Sequence, residues 1–133
     1  MNDPLKLSLR VRCGNDITIG PGKAMVLEAI ERCGSISAAG RAIGMSYRRT
    51  WLLVDLLNRC WSGPLVQTAR GGGGGGGTQL TPLGHQVLRL YRATEARALA
   101  AVRGEEHDRL MALLRDEPLP PGDEKVSEAS DSA

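Results

Sequence analysis

Ser46-Tyr47-Arg48-Arg49, followed closely by Trp51, is the stretch of this 133-residue sequence best suited to chemical recognition. A guanidinium is planar and always charged, and its fork matches two phosphate oxygens or the O6 and N7 of guanine. An arginine pair on a helix is, alone, an ordinary solvated face, but the setting here is specific. Gly34 to Asn58 reads as two helices joined by a tight turn. Small residues fill the first helix (Ala38, Ala39, Gly40, Ala42), Gly44-Met45-Ser46 makes the corner, and a longer helix covers about residues 47–60. Ser46 is its expected cap. This is the build of a helix-turn-helix, whose second helix enters a DNA major groove. At about 100° per residue, Thr50, Leu53, Val54 and Leu57 share the inward face. Arg48, Leu52, Asp55 and Arg59 centre the outward one, with Arg49 and Trp51 on its flanks. Arg48 is best placed for base edges, whereas Tyr47 and Arg49 suit phosphates. Leu52 is out of character there: it meets a thymine methyl or packs under a neighbouring element. Asp55 suits a salt bridge or a cytosine amino group.

A second candidate surface follows. Leu65-Val66-Gln67-Thr68 and Thr78-Gln79-Leu80 are short strand-like runs around Ala69-Arg70 and seven glycines, Gly71 to Gly77. Two strands around a loop directly after a recognition helix make a wing, here residues 65–80. A flexible linker is the bland alternative, but a linker separates modules, and these runs are too short to stand alone. Arg70 near the tip could clamp a phosphate or enter a minor groove. Gly71, Gly72 and Gly73 would let the backbone approach phosphates without side-chain obstruction. The run matches G-x-G-x-x-G trivially, with no dinucleotide-binding unit around it.

Other chemistry has no residues to carry it. His85 and His107 stand apart, and Cys13, Cys33 and Cys60 form neither a disulfide framework nor a zinc pattern. The thiols read as buried and inert. No enzyme, metal or cofactor is expected. No run approaches the ~18 apolar residues of a membrane span, and no signal-peptide pattern opens the chain. A cytoplasmic protein without membrane attachment is expected. The net charge of +2 conceals an asymmetry. Residues 1–104 carry 14 Lys and Arg against 6 Asp and Glu, whereas residues 105–133 carry 3 against 9. A basic body points to a polyanionic partner.

The elements that position these groups follow from the pattern. Leu5 to Val11 alternates apolar and polar residues, which predicts a strand with Leu5, Leu7, Leu9 and Val11 inward. Gly14-Asn15-Asp16 is a turn, and Ile17-Thr18-Ile19 a short returning strand. A first helix spans about Lys23 to Cys33, with Val26, Leu27, Ile30 and Cys33 on one face and Gly34 at its end. Ser35 or Ser37 caps the next. Thr81-Pro82 starts a long helix reaching about Val102, with Leu83, Val87 and Leu90 toward the domain. The alanine-rich remainder, and Leu110, Met111, Leu113 and Leu114 beyond Gly104, read as a dimerisation element, folding back on the monomer being the alternative. From Pro118 the composition is that of a disordered acidic tail. The expectation is a mainly α fold with a small β component: a winged helix-turn-helix (1–81), a dimerisation helix or helices (82–117) and the tail (118–133).

Taken together, these residues resemble the N-terminal DNA-binding domain of the ModE family of molybdate-responsive transcription regulators, a winged helix related to LysR-type helix-turn-helix domains. The resemblance covers roughly residues 5–100. It rests on Gly34-Ser35-Ile36-Ser37, Gly44 through Trp51, Asn58, Leu65-Val66, the glycine tract, Leu80-Thr81 and Leu90-Tyr91. It implies a homodimer held by the N-terminal strand region and the long fourth helix. It also implies Ser46, Tyr47, Arg48 and Arg49 at the major groove of double-stranded DNA, with the glycine wing against the backbone. Family members carry C-terminal molybdate-binding domains of small β-barrel type. Nothing after residue 104 is long enough or β-patterned enough for one, so molybdate is not an expected ligand. Two other functions compete with DNA reading. One is a protein-interaction module, motivated by the apolar C-terminal helix and acidic tail. The other is an oxyanion-responsive sensor, in which the wing glycines form an anion nest.

Overall fold

A hairpin opens the regular structure. β1 (Val11–Cys13) pairs antiparallel with β2 (Asp16–Ile19) across a turn in which Gly14 takes φ 58°. The computed structural model describes residues 3–68 and 77–122, and these divide into two compact units between Ala101 and Val102. In the first unit three helices follow the hairpin: α1 (Pro21–Cys33), α2 (Ile36–Ile43) and α3 (Tyr47–Cys60). β3 (Val66–Thr68) and β4 (Thr78–Leu80) form a second two-stranded sheet, and α4 (Pro82–Val102) comes next.

Local chemistry sets each boundary. Proline sits at the start of α1, where its missing N–H costs nothing. Gly34 ends α1 in the left-handed region (φ 75°) and donates its N–H to the Ile30 carbonyl at 2.9 Å. Of the two serines considered for α2, Ser35 is the cap: its Oγ accepts from the Ala38 N–H at 3.0 Å. Thr81 Oγ1 accepts from the Gly84 N–H (2.9 Å) and donates to the Pro64 carbonyl (2.7 Å), so it caps α4 and ties it to the segment before β3.

With no Phe in the chain, the core is aliphatic. Ile19, Leu27, Ile30, Leu57 and Leu65 are fully buried, and Tyr91 closes one side. Its phenol donates to the Leu9 carbonyl at 2.7 Å. Burial, and secondarily Glu95, hold that phenol above its ordinary pKa, which keeps it a neutral donor. Arg92 crosses from α4 to α1. Its Nη2 and Nε meet the two Glu28 carboxylate oxygens at 2.6 and 3.0 Å, and Nη1 meets Glu95 at 2.7 Å. The Glu28 hydrogen bonds raise the Arg92 pKa against the opposing effect of burial.

Three sequence expectations need correction. The N-terminal strand does not run from Leu5: the ladder begins at Val11, with an irregular register there. Leu5, Leu7 and Leu9 are half-buried and alternate with exposed neighbours, but among the described residues no strand lies beside them. Val11 faces outward at 43% exposure. Alternation reports which side chains are covered, and here α4 supplies part of the cover in place of a paired strand. Second, the cysteines are not buried: Cys13 and Cys33 are exposed and Cys60 is intermediate. Cys33 is the last residue of α1, past Ile30, the last residue of the helix buried in the core. Third, Leu83 and Val87 of the expected α4 face do pack on the core, but Leu90 is exposed, and Gly84, Leu88 and Tyr91 complete the buried stripe. Gly84 is the reason, since a residue without a Cβ carries the closest approach and rotates the helix toward it.

The second unit contains α5 (Glu105–Ala112), none of whose residues is buried. Glu105, Glu106 and Asp108 occupy its first turn, where they complement the helix dipole. Leu110, Leu113 and Leu114 are all more than half exposed. Residues 123–133 of the expected acidic tail lie outside the described residues. Among the described residues no helix is long and apolar enough to cross a membrane.

Candidate nucleic-acid interface

The placement of α3 depends on how closely α2 approaches it. A Cβ built on Gly40 would sit 2.7 Å from Thr50 Oγ1 and 2.8 Å from the Met45 carbonyl oxygen, so only glycine fits. Gly44 (φ 72°) turns the corner, and the Met45 N–H closes it on the Gly40 carbonyl at 2.8 Å. Ser46 then serves α3 twice. Its Oγ accepts from the Arg49 N–H (3.1 Å), and its carbonyl accepts from the buried Thr50 hydroxyl (2.7 Å). Thr50, Val54 and Leu57 are buried as the spacing predicts, and Leu53 is partly so.

The opposite side of α3 is open. Tyr47 is 58% exposed, Trp51 46% and Leu52 48%. With Arg48 they border one shallow depression of the surface. Leu52 does not pack under a neighbour; it extends the apolar part of this face. Such a surface, one guanidinium among an indole, a phenol and a leucine, offers a fork for a base edge and apolar contact for a methyl group. Asp55 is held by Arg59 at 3.0 Å on the exposed side, the salt-bridge alternative of the sequence reading. Arg49 lies on the other flank of the first turn, in a cleft with Arg10 and Lys23.

β3 and β4 pair antiparallel in the register Val66–Leu80, Gln67–Gln79 and Thr68–Thr78. The Thr78 N–H donates to the Gly34 carbonyl at 2.8 Å, which fixes the ribbon to the α1–α2 corner. Arg70, Gly71, Gly72 and Gly73 lie outside the described residues.

Asn58 is a residue whose role the sequence did not reveal. Its Oδ1 accepts from the Leu65 and Val66 N–H groups, each at 2.9 Å, and its Nδ2 donates to the Val66 carbonyl at 3.1 Å. One side chain thus joins the last turn of α3 to the first strand of the ribbon. An asparagine near a helix end is a weak signal, since such residues are usually local caps. Asn58→Ala strands two backbone donors, and a loss of about 1.5 kcal/mol is expected for this part-buried site. Urea unfolding should show it as a lower midpoint at unchanged slope; an unchanged midpoint would remove the anchoring role.

Among the described residues no group of three His, Cys, Asp or Glu could hold a metal ion. The elements and the α3 face together define a mainly α winged helix-turn-helix with a small β part. The chain carries a ModE-like form of it, as its relatives show. It is 41% identical over 91 residues to the molybdenum transport protein ModE of Azotobacter vinelandii, covering 68% of this chain and 32% of that protein. It is 44% identical over 78 residues to the molybdenum-pterin-binding protein MopB of Rhodobacter capsulatus, covering 59% and 29%. It is 30% identical over 115 residues to the transcriptional regulator ModE of Haemophilus influenzae, covering 86% and 42%. The chain therefore spans less than half the length of each of these relatives. No protein-family model matches it.

Proposed function

We propose that this chain is a sequence-specific, DNA-binding transcriptional regulator that acts as a homodimer. The observation that carries the proposal is the α3 face: Tyr47, Arg48, Trp51 and Leu52 exposed together at the start of a helix seated by a glycine crossing and a serine cap. Relatives named as transcriptional regulators support it. α3 is the recognition helix, with Ser46, Tyr47, Arg48, Arg49 and Trp51 at the major groove. The ribbon after it is the wing, and Arg70 with Gly71–Gly73 meets the backbone. Exposed Leu90 and Val102 on α4, and the apolar residues of α5, supply surface for the dimer contact. Two recognition helices ~34 Å apart would read a palindromic site. Residues 82–117 are the dimerisation region in this reading. Molybdate is assigned to no residue of the chain.

Two substitutions separate the assigned roles. Arg48→Ala removes a base-edge fork, so it should cost about 1–3 kcal/mol on a preferred duplex and little on a scrambled one. Arg70→Ala should weaken both duplexes alike. Gel shifts with both DNAs provide the measurement, and equal losses on both for both variants would refute the division of roles.

A further inference from the structure

Beside α3, away from the Arg48 face, lies a cleft of about 260 Å³ lined by three basic residues from separate parts of the chain. Arg10 comes from the extended segment before β1, Lys23 from the first turn of α1, and Arg49 from the first turn of α3. No acidic residue lines it. Glu28 is engaged with Arg92, Glu31 with His85 and Asp55 with Arg59, and neither Asp3 nor Asp16, the acids nearest Arg10 in sequence, lines the cleft. Among the described residues none of the three cations is in an ion pair. Three like charges without a counter-charge repel one another, so the arrangement favours an anion.

The floor of the cleft favours one too. Gly20 precedes α1 without a capping side chain, and the first turn of α1 contains no acid. The N–H groups of Gly22 and Lys23 lack intrahelical acceptors by helix geometry. A Cβ on Gly22 would meet nothing within 4 Å, so the approach is open. A Cβ on Gly20 would come within 3.3 Å of Arg10 Cγ, so the arginine stem lies against the entrance to the helix.

Position identifies the anion. Arg49 adjoins Arg48 in the same helical turn, yet it lines the cleft while Arg48 lines the apolar depression. A helix in a major groove is flanked by the two sugar–phosphate strands. The cleft is therefore where one strand would run if the Arg48 face meets the bases. We propose that Arg10, Lys23 and Arg49 form a phosphodiester clamp that grips the DNA backbone from outside the recognition face. This rests on the DNA-binding reading above. It adds two residues, Arg10 and Lys23, that lie outside the helix-turn-helix and the wing.

The test measures fluorescence anisotropy of the full chain on a preferred and a scrambled duplex across a salt series. The variants are Lys23→Ala, Arg10→Met, which keeps the stem against Gly20, and Lys23→Arg, which keeps the charge. Each neutralisation should weaken both duplexes equally, by about eightfold at 0.1 M salt, and reduce the slope of log K against log salt by about 1. Lys23→Arg should retain the wild-type slope. Melting curves confirm that each variant is folded. Wild-type affinity and slope in both neutralised variants would overturn the clamp while leaving the DNA-binding reading intact. Failure of the wild type to bind any duplex would overturn that reading itself. The third arm uses inorganic phosphate and molybdate. Stabilisation by either, lost in Lys23→Ala while the DNA slope is unchanged, would make the cleft a free-oxyanion site and overturn the clamp.

Discussion

Gly84→Ala is expected to lower the melting temperature by roughly 15 °C, from a loss of about 3 kcal/mol in a domain of this size. A Cβ at this position would clash with the Leu65 carbonyl oxygen and stand 3.0 Å from its carbon. Both are backbone atoms, so no rotamer change relieves the clash. Leu65 cannot retreat easily: its side chain is fully buried, its N–H is held by Asn58, and its carbonyl accepts from the Thr81 N–H at 2.9 Å. α4 cannot retreat either without releasing the Thr81 cap and the Tyr91–Leu9 bond. Circular dichroism melting is the measurement. A shift under about 3 °C would mean that α4 and the β3 segment are not in contact as described.

The second large effect is expected at the crossing of α2 and α3. Gly40→Ala introduces a methyl 2.7 Å from Thr50 Oγ1 and 2.8 Å from the Met45 carbonyl oxygen. The Thr50 hydroxyl is buried and committed to the Ser46 carbonyl, so it has little freedom to move. A cost of about 2 kcal/mol follows from overpacking, or roughly 10 °C in melting temperature. The effect on DNA binding should exceed what the remaining folded fraction explains, because relief of the clash tilts the first turn of α3. Comparing affinity with folded fraction at one temperature separates the two. Affinity that tracks folded fraction alone would mean the crossing does not aim the recognition helix.

These two glycines also mark what could be read from the sequence. Gly40 stood among Ala38, Ala39 and Ala42, and a run of small residues before a Gly-Met-Ser corner announces a close crossing without contact geometry. Gly84 carried no such signal, because an isolated glycine near a helix start resembles a tolerated defect. The helix boundaries were legible because each ends in local chemistry: Gly34 and Gly44 at positive φ, Ser35, Ser46 and Thr81 as caps. The segment before β1 was misread because Leu5, Leu7 and Leu9 alternate as a paired strand would, and period two does not say what supplies the cover. Leu90 failed for a related reason. Several faces of α4 bear apolar residues, and only the contact at Gly84 selects among them. Within the candidate interface, Ser46 to Trp51 stood out because cap, aromatic and guanidinium chemistry coincide at a helix start. Arg10 and Lys23 did not, since they come from separate elements and meet only in the folded domain.

Recognition of DNA sequence is the role proposed for the α3 face. Its most direct test selects duplexes from a random library with the wild-type chain, then titrates an enriched duplex and its scrambled counterpart over a salt series. Sequence reading by α3 predicts binding to the enriched duplex about 10³-fold or more tighter than to the scrambled one. It also predicts a steep linear fall of log K with log salt, and two half-sites about one helical turn apart. Equal affinity for the two duplexes, or no binding at low salt, would contradict it.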